Sequence, residues 1–163
     1  MGGHCLPVDP FYLSWRAREF DMTAEFIELA GKVNQNMPYH CVAKIERVLN
    51  DASKAVRGSR IAVFGVSYKA GVGDLRESPA LKIIELLRAR GGDVIYHDPH
   101  VPELAEHGLR SVELSEALDG ADLAVIVTAH PSVDHAAIVN GAPVTLDLRG
   151  VTRALGAPSA LQL

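Results

Sequence analysis

The chain is poor in cysteine. Its two cysteines, Cys5 and Cys41, form no CxxC pair and stand in different contexts. That excludes a disulfide scaffold and predicts a reduced, cytoplasmic protein. No apolar run reaches the ~18 residues a membrane span needs. The opening residues also lack the charged and apolar regions of a signal peptide. Lysine and arginine form no cluster and the formal net charge is −4, so no nucleic-acid footprint is present. No internal repeat and no low-complexity run occurs. The glycine fingerprint GxGxxG, which marks most dinucleotide sites, is missing as well. What remains is a globular composition, 48% hydrophobic and 22% charged over 163 residues. That length holds one domain, or a domain with an appended helical segment.

Against these absences stands a dense opening, Gly2-Gly3-His4-Cys5-Leu6-Pro7-Val8-Asp9-Pro10. Two glycines before a cysteine permit close backbone approach and positive φ. Cys5, flanked by His4 and with Asp9 four residues on, reads as a candidate nucleophile. Its bland alternative is a small buried apolar residue. Phe11-Tyr12 and Trp15 read as core, and Tyr12 also carries a hydroxyl able to reach a ligand. Further on, Phe26, Leu29, Ala30, Val33 and Met37 recur at helical spacing. A second stripe, Val42, Ile45, Val48, Leu49 and Ala52, follows Pro38, which is expected to start a new helix. A helix from Pro38 to Val56 is roughly 28 Å long. Its apolar stripe must be covered, and a second copy of the chain is one candidate surface. Cys41 falls inside this stripe and reads as packing.

From Gly58 the pattern changes to alternating strand and helix. Ile61–Phe64 is a nearly all-apolar run of the kind buried parallel strands show. Ser78 reads as the cap of a helix beginning at Pro79, with Ala80, Leu81, Ile83, Ile84 and Leu87 inward and Gly91 or Gly92 at its end. Val94–Tyr96, Leu123–Val127 and Val144–Asp147 read as strands. Short helices are expected near 112–118 and 133–139, and a frayed tail from Gly156. The succession βαβαβαβ predicts an α/β fold: a Rossmann-like open parallel sheet with helices on both faces, preceded by a helical segment. The boundary falls between residues 57 and 58, giving units 1–57 and 58–163.

Open sheets of this kind bind ligands beyond the carboxyl ends of their strands. The loop after the first strand, residues 65–79, carries Lys69, Arg76, three glycines and a helix N-terminus. These suit an anion, with a βα loop bearing solvated charges as the alternative. Arg149, just past the last strand, adds a second cation, and two cationic strand ends favour a diphosphate. The run His97-Asp98-Pro99-His100 has no further ligand nearby in sequence, and no metal site is assigned to it.

Gly-Gly-His-Cys-Leu-Pro-Val-Asp-Pro-Phe-Tyr-Leu resembles the catalytic-cysteine segment of the UDP-glucose/GDP-mannose dehydrogenase family. Within that family it looks most like the branch oxidising UDP-N-acetylhexosamines. Val33-Asn34-Gln35-Asn36-Met37-Pro38 is similar to the start of the family's central dimerisation helix. Tyr68-Lys69, Asp74 to Leu81, Tyr96-His97-Asp98-Pro99 and Asp147-Leu148-Arg149 look like its UDP-binding domain. The resemblance implies an enzyme of polysaccharide biosynthesis, and the uncovered apolar stripes of residues 20–57 predict a homodimer formed through them. The enzyme oxidises the C6 alcohol of a UDP-sugar to a carboxylate and reduces two NAD+ in turn. By resemblance Cys5 is the nucleophile that holds the aldehyde as a thiohemiacetal and then a thioester, and Asp9 orients or activates water. Gly2 and Gly3 let this catalytic-cysteine loop approach the sugar, Lys69 and Arg149 hold the UDP-sugar, and Arg76 leans towards the cofactor. Two positions depart from the pattern: Gly31 replaces an arginine expected before Asn34, and Gly73 an aspartate often found before Asp74. Family members carry an N-terminal Rossmann domain that binds NAD. The sequence therefore reads as a C-terminal portion, inactive alone. The alternative is a non-catalytic module that binds UDP or UDP-sugars and dimerises.

Overall fold

The structure, a computed structural model, describes residues 2, 3, 5–157 and 159–163. Two helices come first, α1 (Cys5–Arg18) and α2 (Glu25–Asp51). The remainder builds a sheet from β1 (Arg60–Phe64) and β2 (Asp93–His97), with α3 (Pro79–Ala89) between them. A small hairpin, β3 (Glu103–Leu104) with β4 (Leu109–Arg110), and helix α4 (Leu114–Leu118) lead to β5 (Leu123–Ile126). Helix α5 (His135–Gly141), β6 (Thr145–Asp147) and β7 (Ala160–Gln162) complete the chain. The five-stranded sheet runs in the order β2-β1-β5-β6-β7, with every neighbouring pair parallel.

Side-chain alternation along β1 explains the layers. Ile61 and Val63 face one core, with Val42, Ile45 and Leu49 of α2 and Ile83, Ile84 and Leu87 of α3. Ala62 and Phe64 face the other, with Ala117 of α4 and Ile138 of α5. Both faces are covered, as the continuous apolar strands require. The chain steps from β1 outward to β2 and then crosses back to β5, so the strand order reverses between β1 and β5. In open α/β sheets that reversal opens the ligand crevice at the carboxyl ends.

The helical segment departs from the sequence expectation in three ways. Pro38 does not start a helix: α2 runs unbroken for 27 residues with Pro38 buried inside it, and stops at Asp51, short of Val56. A proline removes one backbone bond, and the docking of Cys41, Val42, Ile45 and Leu49 on the sheet domain holds the helix together beyond it. From Cys5 onward the catalytic-cysteine segment is not a loop either, because α1 begins at Cys5 itself. Pro7 falls in its first turn, where backbone N–H groups have no helical partner anyway. Finally, the apolar residues of α1 and of the first half of α2 are not core. Trp15 is 62% exposed and Phe26 88%, and Phe11, Tyr12, Leu29 and Val33 are exposed too. Alone among α1 residues, Ser14 is buried, with its hydroxyl donating to Glu28 Oε1 at 2.9 Å.

Within the sheet domain the β3–β4 hairpin was not foreseen, and two expectations are corrected. The tail expected to fray forms β7, paired with β6 at Thr145↔Ala160 through Asp147↔Gln162. Ser78 stands at the N-cap of α3, but its hydroxyl donates to the Val66 carbonyl at 2.7 Å and caps nothing. Gly31 lies on α2 where an added Cβ would meet the ring tip of Phe11. Phe11 hangs at the end of a flexible side chain, and alanine favours helix over glycine by about 1 kcal/mol. Gly31→Ala is therefore expected to change stability by less than about 1 kcal/mol in urea unfolding.

Candidate functional site

Parallel strands place the loops 65–78, 98–102, 127–134 and 148–153 along one edge of the sheet. Lys69 and Arg149 lie in the first and last of these, both exposed. Neither side chain forms an ion pair among the described residues. Only β5 separates β1 from β6, so the two strand ends stand about 10 Å apart at ordinary strand spacing. Two free cations thus flank the crevice at which the strand order reverses.

The Arg149 loop is fixed by one carboxylate. Asp147, buried at the end of β6, accepts the Arg149 and Gly150 N–H groups on Oδ1, each at 2.8 Å. Its Oδ2 accepts the Thr152 N–H at 2.8 Å and the Thr152 hydroxyl at 2.7 Å. Burial pushes this carboxyl up, and the Thr152, Arg149 and Gly150 hydrogen bonds more than reverse it, leaving it below its ordinary value. Asp122 is lowered as well, by the Lys54 hydrogen bond first and the Arg60 N–H after it. A carboxyl lowered by folding stabilises the fold above its unfolded value and loses that contribution as pH falls through the folded one. The urea midpoint is accordingly expected to fall steeply below pH of about 4, and Asp147→Asn to flatten that fall.

The Lys69 loop is tied to the opening segment. The Gly3 N–H donates to the Arg76 carbonyl at 2.9 Å. Gly2 and Gly3 are buried, and added Cβ atoms would meet the Glu77 carbonyl oxygen at 2.5 Å and the Tyr68 ring at 2.9 Å respectively. The close approach these glycines permit is thus to the loop itself. Gly3 also sits at φ +81°, which other residues rarely adopt. Arg76 forks onto Asp74, its Nε 3.0 Å from both carboxylate oxygens. The Asp74 hydrogen bonds and then the Asp74 charge hold this guanidinium more firmly protonated, with smaller contributions from Tyr68 and Cys5. The Cys5 sulfur is therefore within electrostatic reach of Arg76.

Cys5 is exposed and unpaired by disulfide, at the first position of α1. Asp9 and Tyr12 follow at spacings of four and seven residues, so all three share one exposed stripe of the helix. His4 lies outside the described residues. Cys41 is buried, and burial pushes its thiol up, as befits a packing residue.

One cluster escaped the sequence reading. Ser67, Asp98 and His130 are buried at the carboxyl ends of β1, β2 and β5, within hydrogen-bond reach of one another. Its one trace in the sequence is the place of His130 just past the clearest strand, with no spacing motif to its partners. His97 Nδ1 pairs with the Val112 carbonyl at 2.7 Å, and among the described residues no three metal-ligating groups converge. A cavity of about 590 Å³ lies elsewhere, between α1, α2 and the start of α3, lined by Leu6, Phe11, Phe26, Asn34 and Lys82. None of Cys5, Lys69 and Arg149 lines it.

A dinucleotide needs a tight glycine turn leading straight from strand to helix. The connection from β1 to α3 instead spans residues 65–78, and Ser78 is turned into the protein. The described residues therefore lack the Rossmann-type glycine turn between β1 and α3.

Fold and site together define the class. The UDP-binding domain of the UDP-glucose/GDP-mannose dehydrogenase family matches residues 62–154, and that family's central domain matches residues 1–36. The chain belongs to the UDP-glucose/GDP-mannose dehydrogenase family. It is 33% identical to UDP-N-acetyl-D-mannosamine dehydrogenase of Pyrococcus horikoshii, over 94% of this chain and 39% of that protein. The solved structure of the UDP-D-ManNAc dehydrogenase of P. horikoshii superposes with a TM-score of 0.75 at 32% identity, covering 90% of this chain and 34% of that one. An NDP-N-acetyl-D-galactosaminuronic acid dehydrogenase from Methanosarcina mazei superposes at 0.83 with 25% identity, covering 100% of this chain and 38% of the other. The chain thus spans 39% or less of the length of these relatives. No helix among the described residues is long and apolar enough to cross a membrane.

Proposed function

We propose that this chain is the catalytic-cysteine and UDP-binding portion of an NAD-dependent nucleotide-sugar 6-dehydrogenase. Residues 1–57 form the cysteine and dimerisation unit and 58–163 the nucleotide unit. The observation that carries the reading is the pair of free cations, Lys69 and Arg149, flanking the crevice of a domain matched to UDP binding. In this reading they hold the diphosphate of a UDP-sugar, Lys69 as a point charge and Arg149 as a planar fork. Once C6 has been oxidised to the aldehyde level, Cys5 Sγ would add to its carbonyl carbon as the C=O π bond opens, the thiol proton ending on the former carbonyl oxygen through water; loss of a second hydride from C6 would leave the acyl–sulfur bond. Asp9, one helical turn away, orients the water that later cleaves the acyl–sulfur bond, and Tyr12 offers its hydroxyl to the sugar. Gly2 and Gly3 serve the sugar side by seating the segment on Tyr68. Arg76 would lean towards the cofactor, and NAD, held mainly by other parts of the whole protein, would supply the hydride acceptor. The 163 residues alone then reduce no NAD+. The long β1–α3 connection, which lacks a Rossmann-type glycine turn, equally fits a non-catalytic UDP-binding and dimerisation module.

Calorimetric titration of the chain with UDP tests the reading. Micromolar binding is expected, weakened about tenfold by Arg149→Ala, which corresponds to about 1.4 kcal/mol. Heat no different from buffer overturns it. We further propose a homodimer. The second stripe of α2 is consumed by the sheet domain, so the contact falls on Phe26, Leu29 and Val33 and the exposed face of α1. A dimeric mass by light scattering at micromolar concentration is expected, and a monomeric mass defeats it.

A further inference from the structure

Ser67, His130 and Asp98 have the composition of a hydrolytic triad but not its geometry. In a triad the acid and the hydroxyl engage opposite nitrogens of the ring. Here Asp98 Oδ2 at 3.1 Å and Ser67 Oγ at 3.3 Å face the same nitrogen, Nε2. The other nitrogen, Nδ1, accepts the Gly71 N–H at 3.1 Å. Nδ1 is therefore unprotonated, and Nε2 carries the hydrogen that it offers to Asp98 and Ser67. The Ser67 hydroxyl donates to the Lys69 carbonyl at 2.9 Å. No nitrogen remains to take a proton from Ser67, which excludes a nucleophilic serine.

The same bonds describe a latch. One imidazole grips the side chain at residue 67 and the backbone at residue 71, and Lys69 lies in the middle of the span it closes. Asp98 anchors the same loop from below, accepting the Val66 N–H at 2.7 Å and the Ser67 N–H at 3.3 Å. It also accepts the His100 N–H at 2.8 Å, and the His100 ring packs on His130 with centroids 4.8 Å apart. The Thr128 hydroxyl donates to the Ser67 carbonyl at 2.6 Å, joining the ends of β1 and β5 directly. The side chains of Ser67, Asp98, Thr128 and His130 are buried, which shields their mutual bonds from water, while Gly71 and His100 lie at the exposed rim.

We propose that His130 is a positioning residue of the nucleotide site. Held in the Nε2–H form by Asp98, it sets loop 67–71 before any ligand arrives, so that Lys69 meets the diphosphate of a nucleoside diphosphate without first paying to order the loop. The inference rests on the reading of Lys69 as a phosphate contact. His130 itself touches no ligand in it.

Two variants test it. Ser67→Ala removes one small hydroxyl and leaves Asp98 its N–H partners. His130→Asn keeps an acceptor near the Nδ1 position but loses the donor to Asp98. Amide hydrogen exchange over residues 68–71 is expected to quicken about tenfold or more in both, with exchange in β1 and β5 unchanged. UDP affinity is expected to fall about tenfold in both, while the weak affinity for uridine, followed by NMR titration, stays the same. A merely structural loss lowers both affinities together. Wild-type exchange rates in the loop of both variants overturn the latch, as does an equal fall for UDP and uridine. A wild-type chain that binds no UDP defeats the nucleotide reading itself and His130's part in it, and the exchange rates then report separately on whether the loop is latched.

Discussion

Gly65→Ala is expected to destabilise the fold by more than about 3 kcal/mol, read as a collapse of the urea midpoint. Gly65 sits at φ +78°, immediately after β1, a conformation that costs a non-glycine residue roughly 1–2 kcal/mol. The larger part is steric. An added Cβ would fall on the Thr128 carbonyl oxygen, with the Thr128 carbonyl carbon and Cβ each at 2.7 Å. Thr128 cannot retreat, because its N–H and that of Val127 both donate to the Phe64 carbonyl, at 3.2 and 2.9 Å. The glycine is thus what lets the β1 and β5 ends close together at the reversal of strand order. Gly71→Ala is the control. Gly71 has the same φ, but open space surrounds its Cβ position. Only the backbone cost of about 1–2 kcal/mol is expected there. Equal losses at the two sites contradict the account of Gly65.

Asp147→Ala is expected to cost roughly 3 kcal/mol and to weaken UDP binding as well. The substitution strands the Arg149, Gly150 and Thr152 N–H groups, which together shape the loop presenting Arg149. Each loses a bond to an ionised acceptor, and Thr152 is buried. Gln162 of β7 donates to the Thr152 hydroxyl at 3.0 Å, so the loss also loosens the last strand. Asp147→Asn keeps one carbonyl oxygen and is expected to fall between wild type and Asp147→Ala. Stability and UDP affinity measured on the same samples check both effects, and a variant that loses stability but binds UDP normally contradicts the coupling of loop to site.

The sheet was legible because its strands are short apolar runs bounded by Gly, Pro and Asp, and covering both faces of a parallel sheet demands such runs. Lys69, Arg76 and Arg149 were legible as strand-end cations for the same reason. The helices before the sheet were harder. Pro38 carries a real local signal to stop, and the packing of Cys41 to Leu49 on the sheet domain overrides it. The tail Ala160–Gln162 is too short to show alternation, and its strand exists because β6 offers an edge. The exposure of Trp15 and Phe26 could not be read at all, because apolarity says that a residue prefers cover and not whether cover is present. His130 is the instructive omission. A lone histidine after a strand carries no spacing motif, and its partners Ser67 and Asp98 lie 63 and 32 residues away in sequence.

Chemical-shift mapping of the ¹⁵N-labelled chain with UDP tests the central claim most directly, because it locates the nucleotide as well as detecting it. The account predicts saturable shifts confined to the loops after β1, β5 and β6, residues 65–73, 127–130 and 148–153, with Lys69 and Arg149 among them. Shifts centred on the cavity between α1, α2 and α3, or no shifts at millimolar UDP, contradict it.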